Sequence, residues 1–144
     1  MNKLLALLAL PLLLAAAPAY AGSLTVTLTG VKPKGGAIIV ALYAKDPLYR
    51  DAVYTATAGV DAGGTVTVTV PDVAAGDYVV SAFHDADGDG KLGFVAGRLT
   101  EGTAISNAEK LRGAPSFATN KITVPADGGA VTIAMSYPED RQGW

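Results

Sequence analysis

The sequence contains no cysteine and a single histidine. Without thiols the chain has no disulfides, no zinc–thiolate sites and no thiol nucleophile, so its fold rests on the core alone or on the core together with a bound ion. One histidine also excludes a transition-metal site built from several imidazoles. Thiol redox roles and multi-histidine metal chemistry are therefore excluded.

Basic side chains are few and scattered. Lys and Arg number 11 against 13 Asp and Glu, for a formal net charge of −2. Because no basic stretch or Lys/Arg cluster occurs, we expect no nucleic-acid binding.

The first 21 residues contain no acidic side chain and have the pattern of an export signal. Lys3 gives a positive start, residues 4–17 are apolar except for Pro11, and residues 19–21 place small side chains where a signal peptidase reads them. The pattern predicts a signal peptide over 1–21, cleaved after Ala21, with export to the periplasm or the medium. The stretch is short for a membrane span, which needs about 20 apolar residues. We therefore expect no stable membrane insertion after cleavage; an uncleaved anchor is the alternative.

The remaining residues, 22–144, predict one domain with a single core. Short runs in which valine, leucine or isoleucine alternates with threonine lie between turn residues, which is typical of strands. About seven strands indicate an all-β, immunoglobulin-like or transthyretin-like Greek-key sandwich. The run at 37–43 is apolar throughout and predicts a strand covered on both faces, and Pro71 is expected to end its strand. The predicted strands are 24–29, 37–43, 53–58, 65–70, 78–84, 121–124 and 130–137.

One long connection, at about 85–120, interrupts this rhythm. A connection of this length in a compact domain usually has a function or is held in place by contacts with the rest of the domain. Ser106 with Glu109 three residues later resembles a capping box, and Gly113 with Pro115 would stop the helix within about two turns. An irregular loop is the alternative.

The connection opens with Asp85, Asp87 and Asp89 at alternate positions, followed by Gly90. This spacing matches the first half of an EF-hand calcium loop, in which alternate carboxylates converge on one ion. Lys91 would contribute its backbone carbonyl.

The second half of the EF-hand pattern is missing. Ala96 stands where a bidentate glutamate is expected, and a strand rather than a helix precedes the loop, so the loop belongs to a β scaffold. Glu101 and Asn107 are candidates to complete the coordination sphere. We predict a Ca²⁺ site, with Mg²⁺ as the second choice because it keeps more waters. The alternative is a plain turn in which aspartates cap their own backbone amides. The predicted metal ligands are Asp85, Asp87, Asp89, Lys91 and Glu101.

His84 precedes the acidic run and has two interpretations. As a lone histidine it is expected to be a hydrogen-bonded structural residue; alternatively it donates to a loop carboxylate. A small hydrolase would have to use His84 with Asp85, Glu101 and Ser106. No nucleophile elbow, phosphate-binding glycine loop or dinucleotide fingerprint is present, so we predict no enzyme.

A series of short motifs lies between residues 76 and 117. In order they are Gly-Asp-Tyr-Val-Val, His-Asp, Asp-Gly-Asp-Gly-Lys-Leu, a glycine, Glu-Gly, Ser-Asn and Pro-Ser-Phe, at 76–80, 84–85, 87–92, 97, 101–102, 106–107 and 115–117. Their order and spacing resemble domain-of-unknown-function family 2141, a family of secreted bacterial proteins. The resemblance implies an exported β-sandwich with no established activity. Two positions depart from the family: Gly93 replaces a frequent acidic residue, which removes one candidate ligand, and residues 98–100 lack a frequent proline.

Together these patterns predict an exported binding or structural module whose long loop is ordered by Ca²⁺. The partner would be an envelope or extracellular protein or a glycan of unknown identity. An envelope interaction protein without an ion is the alternative, and a small hydrolase is the third hypothesis. The C-terminal Trp144 is expected to fray; docking on the domain or mediating association is the alternative.

Overall fold

The computed structural model describes residues 22–141. The predicted signal peptide, its cleavage site and Trp144 lie outside the described residues. No helix within 22–141 has the length and apolar character needed to cross a membrane.

The described chain is a β-sandwich, which confirms the predicted all-β class. The strands are β1 Gly22–Val31, β2 Ala37–Tyr43, β3 Tyr54–Gly59, β4 Gly64–Val73, β5 Gly76–Asp85, β6 Phe94–Val95, β7 Arg98–Leu99, β8 Thr103–Ile105, β9 Ile122–Val124 and β10 Gly129–Ala134. One sheet has the order β10-β1-β4, and the other has the order β3-β2-β5-β8, with β9 pairing along the first residues of β5. A separate hairpin is formed by β6 and β7.

Seven of these ten strands coincide with the predicted ones. The other three, β6, β7 and β8, are two or three residues long and all lie in the long connection. Strands this short carry too few residues for an alternating pattern, so periodicity could not reveal them.

The core lies between the two sheets and follows from the alternation. Every second residue of β1 and β4 points inward, and the threonines between them point outward. Burying one such aliphatic side chain stabilises the fold by about 1.5–3 kcal/mol. The core side chains include Leu24, Val26, Leu28, Val68 and Val70 from one sheet and Ile38, Val40, Leu42, Val80 and Ala82 from the other.

β4 runs through Pro71 to Val73, so the prediction that Pro71 ends this strand is wrong. β4 is an edge strand of its sheet, where a residue without an N–H need not remove a ladder hydrogen bond. The register with β1 also shifts between Gly22 and Leu24, and Asp72 has a left-handed φ of 55°. A β-bulge at this point therefore accommodates the proline.

The predicted helix after Ser106 is a single 3₁₀ turn, Ala108–Lys110, and the capping-box prediction is wrong. The turn has no side-chain cap, because the Ser106 hydroxyl instead donates to the Asn120 carbonyl at 2.6 Å and accepts from the Val80 N–H at 3.0 Å. Ser106 thereby fastens the end of the connection to β5.

The one α-helix of the described residues, α1, spans Phe117–Asn120. Its N-cap is Ser116, whose hydroxyl accepts from the Thr119 N–H at 3.2 Å. A second 3₁₀ turn, Pro138–Asp140, follows the last strand.

Candidate metal centre

The pairing of β5 with β8 brings two distant carboxylates together. Phe83 is opposite Thr103, and the His84 N–H donates to the Gly102 carbonyl at 2.9 Å. Continuing this antiparallel register by two residues places Asp85, the last residue of β5, beside Glu101. The residues between them form the acidic loop and the β6–β7 hairpin.

Four carboxylates converge at this point. One oxygen from each lies within 4.8 Å of an oxygen of every other, and the four residues are Asp85, Asp87, Asp89 and Glu101. The loop thus brings together the three predicted aspartates and the predicted glutamate.

A backbone N–H of the loop anchors one oxygen of each carboxylate. Asp87 Oδ1 accepts from the Asp89 N–H at 3.2 Å, and Asp89 Oδ1 accepts from the Lys91 N–H at 2.8 Å. These are Asx turns, which a loop without an ion would also form, so they do not by themselves indicate a metal.

The two buried carboxylates are anchored in the same way. Asp85 Oδ2 accepts from the Gly90 N–H at 2.9 Å, and Glu101 Oε2 accepts from the Gly93 N–H at 3.0 Å. Asp85 is 5% exposed and Glu101 is 7% exposed, and the second oxygen of each is buried without any hydrogen-bond partner. Native proteins rarely leave buried polar atoms unsatisfied, and each such atom calls for an explanation.

The charges of this buried pair are also uncompensated. Oxygens of the two groups lie within 4.8 Å of each other, and two like unit charges at that upper limit repel by roughly 3 kcal/mol at an effective dielectric constant of about 20. Burial raises the pKa of Glu101, the Asp87 and Asp85 charges raise it further, and the Gly93 and Ala86 amides oppose this effect. Among the ion pairs of residues 22–141, none involves a carboxylate of the cluster.

Two glycines shape the loop around the cluster. Gly90 has a φ of +73°, a conformation that favours glycine, and it directs its N–H to Asp85. A side chain at Gly93 would collide with the Thr100 hydroxyl. The absence of an acidic residue at 93 therefore fits the packing of this chain, in which Glu101 supplies the fourth carboxylate.

The remaining predicted ligands lie differently. The Lys91 N–H donates to Asp89, and its carbonyl as a ligand stays a prediction. Asn107 lies beyond the other end of β8 from Glu101, and its side-chain amide donates to the Lys121 carbonyl at 2.9 Å. Ala96 lies with Gly97 in the turn of the β6–β7 hairpin, and both have positive φ, as a tight two-residue hairpin turn requires.

His84 is a buried structural residue, and the hypothesis that it donates to a loop carboxylate is wrong. Its side chain is 0% exposed, Nε2 lies 2.7 Å from the Gly35 carbonyl and Nδ1 lies 2.7 Å from the Tyr137 hydroxyl. A carbonyl only accepts, so Nε2 carries a proton, and in the neutral imidazole Nδ1 then accepts from the Tyr137 hydroxyl. The Tyr137 hydroxyl in turn accepts from the Lys32 N–H at 2.9 Å.

Tyr137 and Gly35 are hydrogen-bond partners of His84 that the sequence did not predict. Tyr137 is 53 positions from His84 and Gly35 is 49, so no local spacing connects them. Of the residues proposed for a hydrolase, Asp85 and Glu101 converge, whereas the hydrogen bonds of His84 and Ser106 go to other groups.

Residues 26–133 match the family described as "Uncharacterized protein conserved in bacteria (DUF2141)". The chain belongs to this family. The resemblance predicted from the motifs is thereby confirmed, and the matched range contains the whole acidic cluster. No curated protein and no solved structure matches the chain.

Proposed function

We propose that this chain of the DUF2141 family is an exported binding or structural module whose acidic cluster holds one Ca²⁺. The carrying observation is the pair of buried carboxylate oxygens, Asp85 Oδ1 and Glu101 Oε1, that have no hydrogen-bond partner. A cation would satisfy both oxygens and compensate the charges of all four carboxylates.

The donor set fits a hard cation. All four groups are carboxylates, and the structure has no sulfur or imidazole ligand at this point. Ca²⁺ takes six to eight oxygens in flexible geometry, whereas Mg²⁺ demands near-octahedral geometry and keeps several waters. The four carboxylates, the Lys91 carbonyl and water would fill a Ca²⁺ sphere.

The ion would tie the start of the long connection to its return at β8. Asp85 ends β5 and Glu101 precedes β8, so an ion held by both fixes the acidic loop and hairpin against the sandwich. Extracellular modules commonly bind Ca²⁺ with a Kd of ~10⁻⁴–10⁻³ M. The signal-peptide pattern supports export to such an environment, where the ordered connection would meet an envelope or extracellular protein or a glycan.

Thermal unfolding tests the site. Residues 22–144 are melted in EDTA, in millimolar CaCl₂ and in millimolar MgCl₂. A cation that binds only the native state raises the free energy of unfolding by about 2.7 kcal/mol when its concentration is 100 times its Kd. We expect Ca²⁺ to raise the midpoint by several degrees and Mg²⁺ to raise it less.

Matched aspartate variants make the test specific. In Asp89→Asn the rise with Ca²⁺ should be largely lost, while in Asp61→Asn, in an exposed turn outside the cluster, it should persist. If wild type shows no rise with either ion up to about 10 mM, the loop is a plain turn and the proposal fails.

A further inference from the structure

Tyr137 contacts the residue that precedes the first buried carboxylate of the acidic cluster. Its side chain is 1% exposed, and its hydroxyl lies 2.7 Å from Nδ1 of His84. The two rings also meet edge to face, with centroids 5.9 Å apart. Because His84 immediately precedes Asp85, these contacts fix the end of β5 to which the Asp85 carboxylate belongs.

The ring of the same tyrosine packs on the residue that follows Glu101. Gly102 is buried, and a Cβ at this position would lie only 2.5 Å from Cε1 of Tyr137. Glycine therefore allows the ring to approach the backbone this closely. Ser136 fixes the backbone beside the ring, because it exchanges two backbone hydrogen bonds with Thr103, at 2.8 and 2.9 Å. One side chain thus contacts the chain neighbours of both buried carboxylates.

The connection between β1 and β2 joins these contacts into one network. Its Lys32 N–H donates to the Tyr137 hydroxyl at 2.9 Å, and its Gly35 carbonyl accepts from the imidazole at 2.7 Å. A side chain at Gly36 would overlap the Asp85 carbonyl, so this backbone lies directly against a residue of the cluster. The Tyr137 hydroxyl donates one hydrogen bond and accepts another, which fixes its position between the connection and β5.

This network opposes the separation of the two buried carboxylates. Asp85 and Glu101 repel each other, and moving the end of β5 away from the start of β8 would relieve the repulsion. The network resists this movement, since it links the residue before Asp85 to the residue after Glu101. A site that is held in its binding geometry before the ligand arrives loses less free energy on binding. The network should therefore raise the affinity for a cation and not only the stability of the fold.

We propose that Tyr137 is a positioning residue of the cation site and holds Asp85 and Glu101 close enough together to coordinate one ion. The inference rests on the proposed function, because it concerns the affinity of that same site for Ca²⁺. Loss of a group that supports metal ligands typically weakens binding by about 10–100-fold. We expect about tenfold for loss of the Tyr137 hydroxyl, because this group acts on the ligands through His84.

Two matched tyrosine variants test the role. The Kd for Ca²⁺ is obtained from the amide chemical shifts of residues 22–144 during titration with CaCl₂. Tyr137→Phe keeps the ring and removes the hydroxyl, and should raise the Kd about tenfold. Tyr78→Phe is the control, because Tyr78 is 7% exposed and its hydroxyl also donates a hydrogen bond, to the Ala74 carbonyl at 2.8 Å. Tyr78 lies near the opposite end of β5 from Asp85, about 20 Å away, and its loss should leave the Kd unchanged.

Urea unfolding of the same variants separates positioning from stability. A tenfold change in Kd corresponds to about 1.4 kcal/mol. Tyr137→Phe should therefore lower the free energy of unfolding by about 1.4 kcal/mol more in saturating Ca²⁺ than in EDTA. Tyr78→Phe should lower it equally in both conditions. A merely structural role for Tyr137 would give equal losses for its variant as well.

Amide exchange in the wild-type chain needs no variant. Linkage is reciprocal, so an ion that Tyr137 helps to hold must in turn stabilise the contacts of Tyr137. The Lys32 amide, which donates to this hydroxyl, should exchange about tenfold more slowly in saturating Ca²⁺ than in EDTA. The Ala74 amide is the matched control, since it donates to the Tyr54 hydroxyl at 3.1 Å, and its exchange should not change.

Three results would overturn the inference while leaving the proposed function intact. These are equal Kd values for wild type and Tyr137→Phe, an equal rise in Kd in Tyr78→Phe, or a Lys32 amide whose exchange Ca²⁺ does not slow. If Tyr137→Phe does not fold, the exchange of the Lys32 and Ala74 amides decides alone. A wild-type chain whose chemical shifts do not respond to Ca²⁺ would remove the proposed function and this inference together.

Discussion

At the scale of single residues, the environment of the buried Glu101 side chain favours a bound cation. It lies among three aspartates, with one oxygen on the Gly93 N–H and the other without a partner. Such an arrangement destabilises the protein unless a positive charge enters the site. The same residue should therefore have opposite effects on stability with and without the ion.

The variant Glu101→Gln tests this reversal. In EDTA the variant should melt a few degrees above wild type, because one buried charge is removed and the new amide can donate to Asp85. In millimolar Ca²⁺ it should melt below wild type, because a ligand is lost. Melts in both conditions measure the effect, with Glu109→Gln, at an exposed position, as the control. A variant less stable than wild type in EDTA would contradict the prediction.

The residues of the cluster could be predicted to different degrees. The alternate spacing of Asp85, Asp87 and Asp89 predicts that they are ligands of one ion, because carboxylates at alternate positions of one loop converge through local geometry. Glu101 lies beside Asp85 because of the register of β5 with β8. The sequence alone predicts Glu101 only as a candidate ligand in the same connection. The bonds of His84 depend on Tyr137 and Gly35, whose positions only the tertiary fold determines.

At the scale of elements, ion pairs hold the second 3₁₀ turn, Pro138–Asp140, against the rest of the domain. Lys32 and Lys34, in the connection between β1 and β2, form ion pairs with Glu139, and Lys32 also pairs with Asp140 at 2.9 Å. The hydrogen bond from Lys34, the turn's own backbone and Lys32 together lower the pKa of Glu139 to about 2. The turn follows Tyr137, so these pairs also help to position the partner of His84.

The lowered pKa of Glu139 predicts a pH-dependent contribution to stability. Because the folded pKa is about 2 and the ordinary value is 4.5, the contribution is present above 4.5 and is lost as the pH falls toward 2. It should stay below about 1 kcal/mol, since the Glu139 side chain is 41% exposed and water screens the pairs.

Urea unfolding of wild type and Glu139→Gln from pH 7 to pH 2 measures this contribution. The difference in unfolding free energy should be constant above about pH 5 and should vanish near pH 2. High salt should reduce it, and Asp51→Asn, at an exposed loop position outside these ion pairs, is the control variant. A difference that is independent of pH would exclude the ion pairs as its cause.

Whole elements were more predictable than their boundaries. The alternating runs reveal seven strands because inward and outward residues differ in polarity along each of them. Pro71 misled the prediction, since an edge strand with a bulge tolerates proline. The 3₁₀ turn at Ala108–Lys110 is shorter than the expected helix because Ser106 is engaged with Asn120.

On the scale of the whole molecule, the sandwich and the long connection have different sources of stability. The sandwich has a continuous core from both sheets. The acidic loop and hairpin present exposed side chains such as Phe94 and Val95, and the amides of Gly90, Lys91 and Gly93 bond to carboxylates of the cluster. Regions with few buried apolar contacts open with less free energy than the core.

Hydrogen exchange should therefore respond to Ca²⁺ by region. Peptides covering 86–101 should exchange markedly more slowly in Ca²⁺ than in EDTA, because a bound ion would hold the carboxylates that accept from these amides. The exchange rates of peptides from β1 and β4 should change little, because exchange in the native state occurs by local opening and the ion would not contact these strands. Mass spectrometry of peptic fragments gives the measurement, with Asp89→Asn as the control. Uniform slowing along the chain would mean that the ion acts on global stability alone.

The parallel pairing of β1 with β10 has a mechanical consequence. Six residue pairs, from Leu24 with Gly129 to Thr29 with Ala134, join a strand near one end of the described chain to a strand near the other. Because the two strands run in the same direction, tension between the chain ends would slide them past each other and load these pairs simultaneously. Rupture would then require the pairs to fail together rather than one after another, so the sandwich is built to resist stretching from its ends.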